Sequence, residues 1–129
     1  MARVATGRTF QANVMGNTAS NGTGAYAPAC FIAVSANSTA VADTDSTLAG
    51  EVTTGTLARA QALFTYTTGA SSYTLTKTFT SDQTIVIAKI GVFQVVTAGT
   101  GAPVFLSLVS PTASLISGDQ VALTETVNI

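Results

Sequence analysis

Short runs of β-branched and aromatic residues recur along this chain from residue 26 onwards, and clusters of Gly, Pro, Ser and Asp separate them. The runs follow one another at roughly the 8–12-residue spacing that is typical of sandwiches and barrels. Residues 73–79 alternate most cleanly, because Tyr, Leu, Lys and Phe fall on one side of the repeat and Thr on the other. The pattern predicts six or more β-strands.

The apolar faces of these strands must pack against another layer. No segment with a helical period is long enough to cover a parallel sheet. Antiparallel strands without crossover helices bury their apolar faces on each other. We therefore expect an all-β fold, an antiparallel β-sandwich with jelly-roll or immunoglobulin-like topology. With one Cys and no Trp, an immunoglobulin likeness would be architectural only.

Individual segments give more specific expectations. Residues 29–35 are apolar up to Val34 and suit a strand buried on both faces. Residues 85–96 predict a central strand, in which Gly91 indicates a bulge or a close backbone approach. Residues 111–118 are predicted as a loop, and the segment 40–55 holds the only helical candidate, a single turn.

The period of two in residues 57–67 places Phe64 and Tyr66 on the core face and Leu57 and Arg59 on the opposite face. Seven apolar side chains of the predicted strands are expected to be largely buried. They are Phe64, Phe79, Ile87, Ile90, Phe93, Phe105 and Leu123.

Residues 1–24 contain few large apolar residues and cannot bury enough surface to fold alone. We expect them to form an extended N-terminal arm, followed by a single β-sandwich domain over residues 25–129. Such an arm can lie along a neighbouring subunit and become ordered there. Its only charged residues, Arg3 and Arg8, would then meet acidic groups of the partner.

Charged residues make up only 9% of the chain and the formal net charge is −1, whereas an ordinary soluble domain has about 25% charged residues. With so few charges, electrostatic repulsion between copies of the chain is weak. We therefore expect a homo-oligomer, for which a trimer is one option. Lys77 and Lys89 interrupt apolar strands. We expect them to face outward, where they would discourage edge-to-edge pairing or form salt bridges with a neighbouring subunit.

Several partner classes are not expected. The five basic residues are scattered, so no stripe follows a nucleic-acid backbone. The longest apolar run, Ala29 to Val34, is too short to span a membrane, and the N-terminus lacks the apolar core of a signal peptide, so synthesis in the host cytoplasm is expected. Cys30 has no internal disulfide partner and is expected to be a small buried hydrophobe.

The chain has no His, which excludes the usual Ser-His-acid and Cys-His nucleophiles and a closed zinc site. It also lacks the glycine-rich phosphate-binding motifs. Asp43 and Asp45, with Glu51 nearby, lack the spacing of a calcium loop and are interpreted as a solvated turn. Asp82 and Asp119 have no reason to converge as a glycosidase pair. We expect neither enzymatic activity nor a metal or cofactor.

Five segments form a series of motifs. They are Thr47–Glu51 (TLAGE), Thr56–Ala60 (TLARA), Tyr73–Thr80 (YTLTKTFT), Ile85–Phe93 (IVIAKIGVF) and Leu115–Asp119 (LISGD). In this series residues 26–129 resemble small virion proteins of tailed phages, which carry a TLxGE turn, an LxRA strand, an LTKTFT strand, an IxKxGLF-like strand and a closing LxSGDxLxxT strand. The segment to Gly24 has no counterpart, and residues 122–129 replace a TVTWTI-like closing strand.

The resemblance implies a non-enzymatic structural protein of the virion. The first expectation is a capsid decoration or cement protein on the head shell, with the major capsid protein or a neighbouring tail or neck protein as its partner. The alternative is a tail-fibre, collar or tail-tip component that contacts a host receptor. Decoration requires many copies per particle, whereas a fibre requires few.

Overall fold

The computed structural model describes residues 4–17 and 27–129. Within these residues the chain forms one α-helix, one 3-10 turn and seven strands. The elements are α1 (Ala5–Gly16), β1 (Phe31–Ser35), the 3-10 turn (Gly55–Leu57), β2 (Ala60–Gln61), β3 (Leu63–Thr65), β4 (Ser72–Thr80), β5 (Ile85–Phe93), β6 (Pro103–Leu115) and β7 (Gln120–Asn128).

The strands form two antiparallel sheets that pack against each other, which confirms the predicted all-β sandwich. One sheet has the order β2-β1-β5-β6 and the other the order β3-β4-β7. Only Ala62 separates β2 from β3, so the chain passes from one sheet to the other at this residue. Because Ala62 is buried, this crossing forms part of the core.

The main core lies between the two sheets. Alternate residues of β4 point into it, and Tyr73, Leu75 and Phe79 are almost fully buried there, as the alternation predicts. Of the seven predicted core residues, five are buried and two, Phe64 and Phe105, lie half-buried at its margin. Cys30 is buried, as predicted, and burial raises the pKa of its thiol.

The prediction of an extended arm is wrong for residues 5–16, which form helix α1. Few large apolar residues are available in this segment, but its small residues allow close packing. Ala12 is fully buried, and a Cβ at Gly16 would lie 2.6 Å from Cε2 of Tyr73 and 3.1 Å from Cδ2 of Phe64. The helix therefore lies directly on the three-stranded sheet. The predicted boundary between residues 24 and 25 lies outside the described residues.

The predicted loop at 111–118 is also wrong in part, because β6 continues to Leu115. Its register with β5 shifts by three residues between the pairs Lys89↔Leu108 and Ile87↔Ala113. The extra residues form a bulge that accommodates Pro111, which cannot donate to a ladder.

The helical turn expected in residues 40–55 is absent from the structure of that segment, where Ala49 and Gly50 form a turn instead. A 3-10 turn follows at Gly55–Leu57, and it buries Leu57, which the period of two had placed on the exposed face. At Gly91 the close approach is confirmed, since a Cβ there would lie 2.9 Å from Cε2 of Phe93.

Candidate interaction surfaces

The outer face of the four-stranded sheet is partly covered by the chain itself. Leu48, from the segment between β1 and the 3-10 turn, packs with Ala33 and Phe93 in a second, smaller cluster. The backbone N–H of Val52 donates to the carbonyl of Val34 at 3.0 Å, which fixes the covering segment to β1. The covering segment therefore closes this face around Ala33 and Phe93, whereas Leu108 of β6 on the same face is 48% exposed.

Beside this cluster, Arg59 forms a buried ion pair with Glu51. Nη2 and Nε of Arg59 donate to the two carboxylate oxygens at 2.8 and 3.0 Å, and the two side chains are 0% and 7% exposed. Nη1 donates to the carbonyls of Val95 and Thr100, and the guanidinium lies 3.5 Å above the ring of Phe93. The bidentate geometry and the two carbonyl acceptors satisfy a charge that would otherwise be costly to bury.

The ion pair corrects two predictions. Arg59 is not on an exposed face, and Glu51 is not part of a cluster with Asp43 and Asp45. The only signal in the sequence was that Glu51 and Arg59 occupy the charged positions of the TLAGE and TLARA motifs.

The basic residues proposed as subunit contacts occupy different environments. Lys89 lies on the outer face of its sheet but is 3% exposed, and its Nζ donates to Oδ1 of Asn37 at 3.1 Å, so the predicted solvent-exposed charge is wrong. Lys77 is half-buried on β4, the middle strand of its sheet, and therefore does not protect an edge. Nε of Arg8 donates to the carbonyl of Gly69 at 2.9 Å, which helps to hold α1 on the sandwich. Arg3 lies outside the described residues.

The acidic loop residues stabilise turns. Oδ2 of Asp45 accepts from the N–H of Ala42, and Oδ2 of Asp119 accepts from the N–H of Ile116. Asp82 accepts from the N–H of Thr56. In the described parts of the chain, no group of three or more His, Cys, Asp or Glu residues could hold a metal ion.

Helix α1 carries apolar residues on the side that faces away from the sandwich. Phe10 is 71% exposed, Val14 43% and Val4, just before the helix, 66%. Phe10 and Val14 are four residues apart and therefore lie on one face of the helix. A groove of about 340 Å³ begins at Val14 and continues over Met15 to β6. We call Phe10 and Val14 the exposed helix face.

Polar side chains lie between the two sheets where β6 is next to β7. Oγ of Ser107 donates to Oε1 of Glu125 at 2.9 Å, across the two sheets. Burial raises the pKa of Glu125, and the hydrogen bond from Ser107 opposes this shift. Within the described residues, the hydroxyl of Tyr73 is buried without a hydrogen-bond partner, and burial together with the charge of Glu125 raises the pKa of Tyr73 to about 12.

Comparisons of this chain with family models, with curated proteins and with solved structures find no match. Helix α1 has 12 residues, and no helix in the described ranges is long and apolar enough to cross a membrane.

Proposed function

We propose that this chain is a non-enzymatic structural protein of a tailed-phage virion, a capsid decoration or cement protein bound on the head shell. Its partners in this proposal are the major capsid protein or a neighbouring tail or neck protein, and further copies of itself. The observation that carries the proposal is the exposed helix face, because the chain buries Ala33 and Phe93 on the outer face of its four-stranded sheet yet leaves Phe10 and Val14 in solvent.

An exposed apolar face with few surrounding charges favours a permanent contact. Exposed apolar patches on soluble proteins mark interaction sites when they are contiguous. Helix α1 contains one charged residue, Arg8, and its Nε is bonded to the sandwich. The exposed helix face is therefore suited to an apolar recess on a neighbouring subunit, in the way that an amphipathic helix lies in a groove.

The first experiment determines whether the chain is in the particle and how many copies are present. Purified virions from the encoding phage are analysed by quantitative mass spectrometry and by cryo-electron microscopy. Many copies on the head shell support the proposal. Absence from purified virions contradicts it, and a few copies at the tail or collar favour the receptor-contacting alternative.

The second experiment tests the exposed helix face. Phe10→Ser combined with Val14→Ser should strongly reduce the number of copies per virion while the purified variant keeps its β-type circular dichroism spectrum. Val41→Ser combined with Val96→Ser is the matched control, because these exposed valines lie on other segments. Equal incorporation of both variants would contradict a role for the helix in attachment.

A further inference from the structure

Strand β7 is a long, regular edge of the sandwich. It pairs with β4 over nine consecutive residue pairs without a register shift, and none of the described strands is its neighbour on the other side. A strand of this length presents an open edge of about 30 Å. Its unpaired backbone N–H and C=O groups are a template for another strand.

The other edge strands are protected. β2 and β3 are only two and three residues long. β6 is longer, but its register shifts twice against β5 and it contains Pro103 and Pro111. Short strands, bulges and prolines are the devices that block pairing between chains. Among the edge strands of the described residues, β7 alone combines length, regular register and absence of proline.

The side chains of β7 are suited to pairing with a copy of the same strand. Its outward-facing residues are uncharged and exposed, and they are Gln120, Ala122, Thr124, Thr126 and Asn128. Thr76 Oγ1 and Thr124 Oγ1 are 3.0 Å apart, so a row of threonines already crosses from β4 to β7. Cross-strand Thr pairs stabilise sheets, whereas like charges placed opposite each other destabilise them.

We propose that β7 pairs with β7 of a second copy of this chain, antiparallel and about a two-fold axis at Thr124. Thr124 then faces Thr124 of the second copy, Ala122 faces Thr126, and Gln120 faces Asn128. The row of threonines continues across the axis, and the two three-stranded sheets become one. An antiparallel pair of identical strands is self-complementary, as a two-fold interface requires.

This interface gives the homo-oligomer of the proposed function a specific surface, and in that respect it rests on the proposed function. The experiments use the purified full chain without other virion proteins. A failure to self-associate would overturn the β7 interface, and it would leave the measurement of virion incorporation unaffected.

The first test places a charge on the axis. Thr124→Lys puts two lysines opposite each other and should weaken dimerisation, measured by sedimentation velocity, by roughly tenfold or more. Thr78→Lys is the matched control, because Thr78 is exposed on the same sheet face but lies on the middle strand β4. This control should dimerise as the wild type does, and both variants should keep the wild-type circular dichroism spectrum.

The second test determines the register. Ala122→Lys with Thr126→Lys places like charges opposite each other twice and should prevent dimerisation. Ala122→Glu with Thr126→Lys places opposite charges there and should restore it. Within one copy the two positions are about 13 Å apart along the strand, too far to pair with each other. Restoration therefore reports a contact between copies.

Three results would overturn the β7 interface. The first is a wild-type chain that stays monomeric at high micromolar concentration. The second is a dimer that Thr124→Lys and Thr78→Lys weaken equally. The third is that Ala122→Lys with Thr126→Lys prevents dimerisation and Ala122→Glu with Thr126→Lys does not restore it. A wild-type trimer would also exclude it, since a two-fold strand pair builds dimers.

Discussion

The two flanks of the sandwich are completed in different ways. On the closed flank, formed by β2 and β3, the strands are short, the chain crosses between the sheets at Ala62, and the Arg59–Glu51 ion pair lies buried nearby. On the open flank, formed by β6 and β7, both strands are long and only β6 is interrupted by bulges. The closed flank is complete within one chain, whereas β7 retains an edge that another chain can use.

Charged side chains have different roles at the two flanks. The closed flank buries its ion pair completely and satisfies it with two backbone carbonyls. The open flank has one charged side chain on its two strands, Glu125, which points inward to Ser107. Charge therefore contributes to folding at one flank and is absent from the exposed side of the other.

The largest expected effect is at the closed flank. Arg59→Ala leaves the Glu51 carboxylate without its positive partner and two carbonyls without the guanidinium donor, and it should lower the free energy of unfolding by about 3–5 kcal/mol. Chemical denaturation measures this loss. Arg8→Ala is the control, because Arg8 is only half-buried and holds helix α1 rather than the flank. Equal losses for the two variants would mean that the ion pair does not secure the closed flank.

A smaller effect is expected where helix α1 meets the closed flank. Gly16→Ala forces a Cβ toward the rings of Tyr73 and Phe64 and should cost about 1–3 kcal/mol by overpacking. Thr6→Ala, at an exposed position of the same helix, should change stability by less than about 0.5 kcal/mol. If Gly16→Ala instead stabilises the chain, as helix propensity alone predicts, the helix does not pack on the sheet as described.

The smallest effect is expected at the open flank and depends on pH. Because burial raises the pKa of Glu125 in the folded chain, folding favours its protonated form. The contribution of Glu125 to stability is therefore fully present below its ordinary pKa and is lost as the pH rises through the folded pKa. Glu125→Gln keeps the acceptor for Ser107 and removes this titration.

The measurement is the free energy of unfolding of the wild type and of Glu125→Gln from acid to neutral pH. The advantage of the variant should grow as the pH rises. Asp43→Asn, at an exposed loop position, controls for the loss of one negative charge. Parallel pH profiles for wild type and Glu125→Gln would show that Glu125 is solvated rather than buried at the flank.

Much of the sandwich could be predicted because strands such as β4 and β7 are buried on one side and exposed on the other. In β4 the threonines mark the outer face, and Tyr73, Leu75 and Phe79 mark the core, so alternation alone assigns both faces. The same rule failed at Leu57, where a 3-10 turn interrupts the period of two. Alternation predicts burial only where the backbone stays extended.

Features that depend on distant contacts could not be predicted. Helix α1 is held by the fit of Ala12 and Gly16 against the sheet, and small residues give no periodic apolar signal. The carbonyls that accept from Arg59 belong to Val95 and Thr100, which follow it in the chain by 36 and 41 positions. At Pro111, a residue that usually ends a strand lies in a bulge, so β6 continued beyond the predicted end.

Hydrogen–deuterium exchange of the wild-type chain at low and high protein concentration tests the central claim most directly. The open edge of β7 should be covered in the dimer, so amides in residues 120–128 should exchange more slowly as the concentration rises. Amides in residues 60–65 of the closed flank and 103–115 of β6 should not change. Exchange in residues 120–128 that is independent of concentration, or a change confined to β6, would contradict the distinction between the two flanks.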